Sequence, residues 1–544
     1  MTNGHRSFSI ALQRPVLIVM VLLNLAIIGA LLFMASVPPV SRDALTHHLA
    51  IPKLYLNQGI LIELPEIPFS YYPMNLDLLY LIPLALGNDI LPKYIHLLFG
   101  VLTAGLIYRY LKMRAGRLWG LCGSLLWLST PMVARLSSEV YVDLGLGFFS
   151  MAALCAIFRW AANQRNKRDL IWAGFWCGLA LGTKYNALLV LAILALLIPL
   201  IYIRMKIGPD TAGATSSIDL PAHASAASAT RTVRLKGGGA FVSATLFVAV
   251  ALTVFSPWMI RNTVLTGNPI YPMMNSLFNR GDANTTDDWS RTSTMVQETS
   301  NTLTVRRLVF KESFGYIALL PLRIFFEGRD DDPRYFDGRL NPFLLVFIIG
   351  AMGSWRAGNR RFASERWVWF AFASLFVLMA IFLAPIRIRY LLPVLPAFIV
   401  LTVMGIYNAS ALMGTIRRPA ARLTGSLTLA AVVVAMFGLN ADYIVKRYRH
   451  TEPWSYLSGR TTRDAYITKR RPEYPLVRYA NDHLAADARI LALFLGQRRY
   501  YFDRDVVFSE GLIGNAVANS QTPEEIGLQL KAMGITHLMV RQDL

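Results

Sequence analysis

The sequence predicts a polytopic α-helical membrane protein with a small C-terminal α/β domain, and three properties of the chain support this fold class. Of its 544 residues, 54% are hydrophobic and only 16% are charged, whereas soluble globular proteins carry about a quarter charged residues. Apolar runs long enough to approach the roughly 20 residues of a membrane span recur along the chain. Lys and Arg collect in the short loops between these runs, as is typical of cytoplasmic loops. The composition excludes a soluble enzyme, a disordered chain and a small secreted scaffold.

About 11 transmembrane helices are predicted, because the apolar runs alternate cleanly between the two sides when the basic loops are placed inside. The first run, 15–37, is longer than the apolar part of a signal peptide. It ends at consecutive prolines, which cannot continue a helix. We therefore expect it to remain as a span. The N-terminus is expected to be cytoplasmic, and the protein is expected to be integral to the plasma (inner) membrane. The other predicted spans are about 90–111, 118–134, 140–160, 170–183, 187–202, 239–258, 341–355, 367–384, 390–407 and 423–439.

The alternation divides the chain into two predicted domains. Residues 1–440 form the membrane domain, with a first outer loop at 38–89 and a long outer loop at 259–340. An Ala-, Ser- and Thr-rich stretch within 204–238 predicts a flexible cytoplasmic loop. Residues 441–544 are more charged and follow the last outward span, so they are expected to lie outside the cell membrane.

Local patterns within the C-terminal region predict its α/β character. An apolar run at 489–495 is typical of a strand, and a second strand is predicted within 500–508. Thr522 followed by Pro-Glu-Glu opens a helix with a capping box, and Gly534 ends it. A final strand is predicted at 536–540. The region is therefore interpreted as a small α/β extracytoplasmic domain.

The basic excess has a membrane explanation. The chain has 54 Lys and Arg against 33 Asp and Glu, a formal charge of +21. Such a charge can indicate nucleic acid as a partner, but most of these residues lie in the predicted inner loops, so no nucleic-acid partner is expected. Cys122, Cys155 and Cys177 all fall in apolar runs without the spacing of a metal site, and we interpret them as small core side chains.

Carboxylates at the outer ends of apolar runs are the first candidates for chemistry, because charges in apolar surroundings are costly. Asp43 follows the first span, where His47 would share its helix face, and it could act as a general base. An interfacial helix with solvated charges is the alternative. Glu139 and Asp143, with Tyr141 between them, would lie one helical turn apart and could hold a divalent metal or orient an attacking hydroxyl. Stabilisation of negative charge by a helix N-terminus is the alternative there, above all for Glu139.

Basic residues at predicted outer turns are the second group of candidates, because they run against the positive-inside pattern. Arg makes paired hydrogen bonds to phosphate, and contact with lipid headgroups is the alternative. Acids and cations on one membrane face would suit transfer from a lipid-phosphate donor, since a carboxylate takes the acceptor proton and the cations stabilise the departing phosphate. The basic candidates are Lys184, Arg261, Arg387 and Arg389.

The order of several short motifs resembles that of the GT-C membrane glycosyltransferases, which include the protein O-mannosyltransferases and the lipid A aminoarabinose transferases. The resemblance covers nearly the whole chain. The motifs are Asp43-Ala-Leu-Thr-His-His-Leu-Ala-Ile-Pro-Lys-Leu-Tyr, Glu139-Val-Tyr-Val-Asp143, Gly182-Thr-Lys-Tyr, Pro257-Trp-Met-Ile-Arg-Asn with Thr266-Gly-Asn-Pro-Ile-Tyr-Pro, and Arg389-Tyr-Leu-Leu-Pro-Val-Leu-Pro.

The resemblance implies an inverting glycosyltransferase that moves a sugar from a polyprenyl-phosphate donor, embedded among membrane lipids, to an envelope acceptor on the outer face. It implies that Asp43 is the catalytic base and that Asp143 and Glu139 assist it. No cofactor follows from it except a divalent metal, whose use stays open because only some members employ one. The first-loop motif has one Asp where protein mannosyltransferases have an Asp-Glu pair, so a lipid, glycan or protein acceptor stays open. Further substrate contacts are expected at His47, His48, Lys53 and Tyr141.

Two other function classes fit a polytopic chain. A transporter or flippase would place charges at mid-membrane and show repeated halves, whereas the candidate charges here gather at one interface. A non-catalytic assembly protein of the envelope would use the C-terminal domain for binding and would tolerate replacement of Asp43.

Overall fold

Helices dominate the computed structural model, and the C-terminal region adds one small sheet. Residues 207–225 of the predicted cytoplasmic loop and residues 280–301 of the predicted long outer loop lie outside the described part of the chain. The structure describes residues 3–206, 226–279, 302–353, 360–383 and 386–541.

Eleven helices occupy the positions of the eleven predicted spans. Seven helices of the described chain are long and apolar enough to cross a membrane, so the protein is a polytopic integral membrane protein. The third, fifth, sixth and eighth of the eleven are not among these seven, so their crossing of the bilayer stays a prediction. The helices are α1 Asn3–Ala35, α2 Leu91–Ala115, α3 Arg117–Ser129, α4 Asp143–Ala162, α5 Lys167–Leu181, α6 Ala187–Lys206, α7 Ala226–Thr266, α8 Phe343–Met352, α9 Arg360–Leu383, α10 Leu395–Thr415 and α11 Pro419–Thr451.

The third predicted span is broken near its outer end. Helix α3 stops at Ser129, and a separate short helix, Pro131–Ser137, follows it. Thr130 between them is extended, with ψ at 130°, because the ring of a following proline disfavours helical geometry in the residue before it. The chain therefore reaches the start of α4 through a kinked connection rather than along one continuous helix.

Helix α4 lies at the centre of the bundle. In the apolar 18-residue stretch of α4, 78% of the residues are buried, whereas only 11% are buried in the corresponding stretches of α1 and α11. Those two helices therefore lie at the periphery. Large aromatic side chains fill the core around α4, among them Trp127 and Trp160, both fully buried. The indole of Trp127 donates to the carbonyl of Gly100 at 2.8 Å, which satisfies its polar atom inside the apolar interior.

A buried charge network joins α2 to α9 at the end of the bundle predicted to face the cytoplasm. Arg114 donates from Nε and Nη2 to the two carboxylate oxygens of Glu365, at 2.5 and 2.7 Å. The Tyr110 hydroxyl donates to the same carboxylate at 2.7 Å and accepts from the Trp369 indole at 2.7 Å. Such two-pronged pairs are among the stronger hydrogen-bonded contacts, and this one fixes α9 against the centre of the bundle.

The two predicted outer loops fold into short helical pieces. In the first, a π-helical turn, Ala44–His48, is followed by helices Ala50–Gln58 and Asn75–Ala85 and by a 3-10 turn, Pro68–Tyr71. The apolar stretch at 314–326 is too short to span, as predicted. The described pieces of the long loop are Asn275–Phe278, Thr302–Thr304, Val305–Val309, Phe314–Ala318, Leu320–Arg323 and Pro333–Tyr335.

The C-terminal region contains a three-stranded parallel sheet with the order β2-β1-β3. The first and third strands lie where the sequence predicts them, and the second is shorter than predicted. Thr522 caps the last helix by accepting from the Glu525 backbone N–H, and Gly534 follows that helix at φ 78°. The assignment of 441–544 as a separate extracytoplasmic domain stays a prediction. The elements are α12 Arg463–Arg470, α13 Tyr474–His483, β1 Arg489–Leu493, β2 Asp505–Val507, α14 Glu510–Ala518, α15 Pro523–Ala532 and β3 His537–Val540, with a short helix Pro453–Leu457 ahead of them.

The close packing of α8 against α10 depends on Gly405. A Cβ atom at this position would lie 2.0 Å from the carbonyl oxygen of Phe347, and small residues allow such backbone approach between membrane helices. We expect Gly405→Ala to lower the free energy of unfolding by about 1–3 kcal/mol, measured by thermal unfolding in detergent. Gly414→Ala is the control, since nothing lies within 4 Å of that position on the same helix. Equal stability of the two variants would contradict the prediction.

Candidate active site

Two oppositely charged pairs lie side by side at the end of the bundle predicted to face outward. Arg389, in the turn before α10, donates from Nη1 to the Asp43 carboxylate at 2.5 Å. Lys184, in the turn between α5 and α6, donates to the Asp143 carboxylate at 2.7 Å. Both cations lie over the ring of Tyr390, with Lys184 Nζ 5.5 Å and the Arg389 guanidinium carbon 5.3 Å from its centroid. Four distant chain segments therefore meet in one cluster, called the four-charge cluster below.

Local backbone geometry brings Asp43 and Lys184 into this cluster. Asp43 immediately precedes the π-helical turn Ala44–His48, in which the Leu49 N–H donates to the Ala44 carbonyl. Single π turns of this kind are frequent at functional sites. On the other side, a Cβ at Gly182 would lie 2.1 Å from the side-chain nitrogen of Asn75. The glycine therefore lets the turn that carries Lys184 pack directly on the first outer loop.

Asp43 is ionised because of its partner. Burial alone would raise the pKa of the Asp43 carboxyl, but the groups around it, with the Arg389 guanidinium first among them, together outweigh burial and hold that pKa well below its usual value. Arg389 also lies over the ring of Tyr141, 5.3 Å from its centroid. The carboxylate and the guanidinium are only 21% and 11% exposed, so each depends on the other for compensation of its charge.

Asp143 is the more deeply buried carboxylate, with a fully inaccessible side chain, while Lys184 keeps 22% of its side chain exposed. Asp143 is also the first residue of α4, where the helix dipole favours a negative charge. Its second oxygen has no hydrogen-bond partner among the described residues. Asp143 therefore holds the Lys184 ammonium in place, and the Lys184 side chain is the part of this pair that solvent can reach.

Two histidines extend the cluster toward a third carboxylate. His48 Nδ1 lies 2.7 Å from Asp77 Oδ1, and both side chains are about 5% exposed. Burial lowers the pKa of His48 to about 3 and raises the pKa of Asp77 to about 8, so it favours the neutral form of each. His47 stacks on Phe69, with ring centroids 4.4 Å apart. Burial lowers the pKa of His47 to about 3 as well.

Asp77 and Tyr390 escaped the sequence analysis for different reasons. Asp77 is a carboxylate in the apolar helix Asn75–Ala85, so the rule that selected Asp143 would also have selected it. Tyr390 carries no such signal, because an aromatic residue at a span boundary is common in membrane proteins. Its position between two cations depends on tertiary structure.

Glu139 does not share a helix face with Asp143, so the predicted one-turn pair is wrong. The helix ends at Ser137 and α4 begins only at Asp143, which leaves Glu139 in the break between them. Its carboxylate instead accepts from Arg447 of α11 at 2.6 Å and lies 3.8 Å from Arg135. Glu139 and Asp143 are therefore neutralised by different cations and do not fit a shared divalent metal. Among the residues that the structure describes, no group of three or more His, Cys, Asp or Glu side chains could hold a metal ion.

Three further predicted site cations have partners outside the four-charge cluster. Arg387 lies 3.5 Å from the carboxylate of Asp337. Arg261 donates to the Ser70 carbonyl at 3.1 Å. Lys53 donates to the backbone carbonyls of two C-terminal residues at 3.0 Å and to the carboxylate of a third at 2.7 Å. These three contacts use all three N–H donors of the ammonium, which favours an anchoring role for Lys53 over the predicted contact with substrate.

The pairing of Lys184 with Asp143 makes a prediction about stability. Lys184→Met leaves the inaccessible carboxylate without its hydrogen-bonded cation, and we expect it to cost roughly 3–5 kcal/mol of unfolding free energy. The double variant Lys184→Met with Asp143→Asn removes the uncompensated charge and should recover most of that loss. Thermal unfolding of the purified variants in detergent measures both. A double variant as unstable as the single one would contradict a direct interaction between the two groups.

One family model matches the part of the chain that contains the motifs at 139–143 and 182–185. Residues 85–207 match the family model described as dolichyl-phosphate-mannose-protein mannosyltransferase. This region covers less than a quarter of the chain and includes Asp143 and Lys184, but neither Asp43 nor Arg389. No curated protein matches the sequence.

Solved structures match the chain over almost its whole length. The structure of ArnT from Cupriavidus metallidurans bound to undecaprenyl phosphate is 14% identical, with a TM-score of 0.52, and the match covers 95% of this chain and 89% of that one. The apo form of ArnT from the same organism is 12% identical, with a TM-score of 0.52 over 96% of this chain and 89% of that one. The chain therefore shares the fold of the ArnT structures, in agreement with the resemblance of its motifs to the GT-C membrane glycosyltransferases.

Proposed function

We propose that this protein is a membrane glycosyltransferase that moves a sugar from a polyprenyl-phosphate donor to an acceptor of the cell envelope on the outer face of the membrane. The observation that carries the proposal is the four-charge cluster, in which an ionised carboxylate touches one cation while a second cation lies beside it across Tyr390. The similar ArnT structure was solved with undecaprenyl phosphate bound, which supports a donor of this class.

The cluster contains the groups that an inverting transfer needs. Asp43 takes the proton of the acceptor hydroxyl while that oxygen attacks the anomeric carbon. The bond between the anomeric carbon and the phosphate oxygen breaks at the same time, and its electron pair leaves with the polyprenyl phosphate. Arg389 and Lys184 stabilise the negative charge on the departing phosphate. Attack opposite the leaving group inverts the anomeric centre, and a phosphate can leave without a strong general acid.

Asp43 suits the role of base better than Asp143 does. Asp143 is fully inaccessible and hydrogen-bonded to Lys184, whereas Asp43 is 21% exposed. An attacking hydroxyl must come within hydrogen-bond distance of the base, and only the more exposed carboxylate offers that access. Asp143 then serves as the residue that positions Lys184. The contacts of Glu139 with Arg135 and Arg447 do not support its predicted role in assisting catalysis.

The Asp43–Arg389 pair also couples base strength to donor binding. With Arg389 as its partner, the Asp43 carboxylate is a weak base because its pKa lies well below the usual value. A donor phosphate at Arg389 would share the guanidinium and weaken its hold on Asp43. Because burial raises the pKa of the same carboxyl, Asp43 becomes a stronger base only when the donor is in place.

Replacement of the base is the direct test. Asp43→Asn keeps the shape of the side chain but removes the proton acceptor, and we expect transfer to fall by about 10²–10⁴-fold. The assay follows labelled undecaprenyl-phosphate sugars in membranes that contain the full-length protein. Asp442→Asn is the matched control, because it makes the same change in an exposed ion pair with Lys446. Binding of undecaprenyl phosphate should persist in Asp43→Asn, and undiminished transfer by this variant would overturn the proposal.

The coupling predicts a change in pH dependence. In the wild-type protein Asp43 stays ionised down to its usual pKa and below, so its protonation does not limit transfer between pH 5 and pH 8. In Arg389→Gln the raising effect of burial is no longer opposed by the guanidinium, so Asp43 should take up its proton at higher pH. We therefore expect the residual transfer of this variant to fall more steeply from pH 8 to pH 5 than that of wild type. Normalised pH profiles that run parallel would contradict the coupling.

A further inference from the structure

The segment that carries Asp43, residues 37–48, is held in place by side chains from other parts of the chain. Lys93 of α2 donates to the carbonyls of Val37 and Pro38, at 2.7 and 3.3 Å. Two further carbonyls are occupied by C-terminal residues. Tyr501 donates from its hydroxyl to the Pro39 carbonyl at 2.8 Å, and Arg471 donates from Nε to the Val40 carbonyl at 2.5 Å. Four successive carbonyls ahead of Asp43 therefore accept hydrogen bonds from outside the segment.

A second set of contacts ties the π-helical turn beyond Asp43 to the same C-terminal stretch. The backbone N–H of Tyr500 donates to the Leu45 carbonyl at 3.0 Å. Lys53, in the following helix Ala50–Gln58, donates to the carbonyls of Tyr500 and Phe502 and to the carboxylate of Asp503. Residues 500–503, called the clasp below, thus contact the chain on both sides of Asp43.

The sequence of residues 37–48 explains why such anchoring is needed. Pro38 and Pro39 have no N–H groups, so this stretch cannot join a regular hydrogen-bonded structure through them. The π-helical turn that follows is a single turn, which has little stability of its own. A segment of this kind keeps a fixed conformation only through tertiary contacts. Because a misplacement of 1 Å can cost roughly 100-fold in rate, the position of Asp43 depends on those contacts.

We propose that the C-terminal region forms part of the active site, in which Tyr501 and Arg471 are positioning residues that hold Asp43 against Arg389. This inference rests on the proposed function, since it assigns the clasp a role in the same transfer reaction. It also gives Lys53 a role, because its ammonium fixes the clasp on the first outer loop. The membrane domain therefore needs this region for sugar transfer, whereas it would not need an accessory domain.

Some contacts between the C-terminal region and the membrane domain do not touch the Asp43 segment, such as the donation from Arg463 to Asp89, and another of them provides a control. Arg489 of β1 lies 3.1 Å from Glu66 of the first outer loop, and the Glu66 side chain is 58% exposed. This ion pair also joins the C-terminal region to the membrane domain, but it lies beyond the segment that carries Asp43. Glu66→Gln removes the negative charge from this ion pair and leaves the pairing of Arg489 with Asp505 intact.

Two single-group variants test the clasp in the full-length protein in lipid nanodiscs. Tyr501→Phe removes only the hydroxyl that reaches Pro39, and Lys53→Met removes the ammonium. We expect hydrogen exchange of the backbone amides of residues 40–48 to be at least about threefold faster in both variants. With a labelled undecaprenyl-phosphate sugar as donor, kcat should fall by about tenfold to a hundredfold. The KM for the donor should stay within about twofold, because Lys184 and Arg389, the proposed phosphate contacts, both lie outside the segment that the variants loosen.

The control and the exchange measurement separate the possible failures. Glu66→Gln should leave both the exchange of 40–48 and kcat at wild-type values. The inference is overturned if Tyr501→Phe and Lys53→Met exchange and turn over like wild type, or if Glu66→Gln loses as much kcat as they do. Absence of transfer by the wild-type protein with every polyprenyl-phosphate sugar would instead overturn the proposed function, whatever the exchange of the segment.

Discussion

The ion pair between Asp43 and Arg389 is the interaction on which the rest of the site depends. Its partners are 346 residues apart in the chain, so it forms only when the first outer loop and the turn before α10 meet at one end of the bundle. Removing one partner of a buried pair costs roughly 3–5 kcal/mol, because the other charge remains without compensation. The pair therefore links the packing of the membrane domain to the proposed chemistry, and the neighbouring Asp143–Lys184 pair repeats this arrangement.

Hydropathy and loop charge predicted the helices well because both signals arise from the bilayer, which acts on each segment separately. The runs that became α1, α2 and α4 needed no knowledge of their neighbours. The errors occur where local backbone chemistry interrupts a span. Pro131 ends α3 through its effect on Thr130, and the break before Asp143 moves Glu139 away from the face that a continuous helix would have given it. Apolar content identifies a span but not the residue at which its helix ends.

The site could be predicted in part, because the rule that charges at the ends of apolar runs are costly selects positions but not partners. It selected Asp43, Asp143, Lys184 and Arg389, which the fold brings together. The same rule selected Arg387, whose partner is Asp337 in the long outer loop. Nothing in the local sequence distinguishes these cases, since the partner of a charged side chain is decided by contacts between segments far apart in the chain. The Tyr390 ring and the clasp escaped prediction for the same physical reason.

In the proposed transfer reaction, the base Asp43 must meet two opposite requirements, and binding of a donor can reconcile them. A base must be ionised, and Arg389 ensures this in a site where burial alone would favour the neutral acid. A base must also hold its proton once it has taken it, and the same guanidinium opposes that. A donor phosphate that shares Arg389 would weaken the guanidinium's effect on Asp43 and so let the carboxylate hold the proton. Before the donor binds, the Asp43–Arg389 ion pair remains intact and stabilises the fold. The Asp43 carboxylate must therefore stay in place while the Arg389 guanidinium binds the donor phosphate. The anchoring of residues 37–48 by Lys93, Arg471 and the clasp supplies that constraint, because none of these contacts involves Arg389.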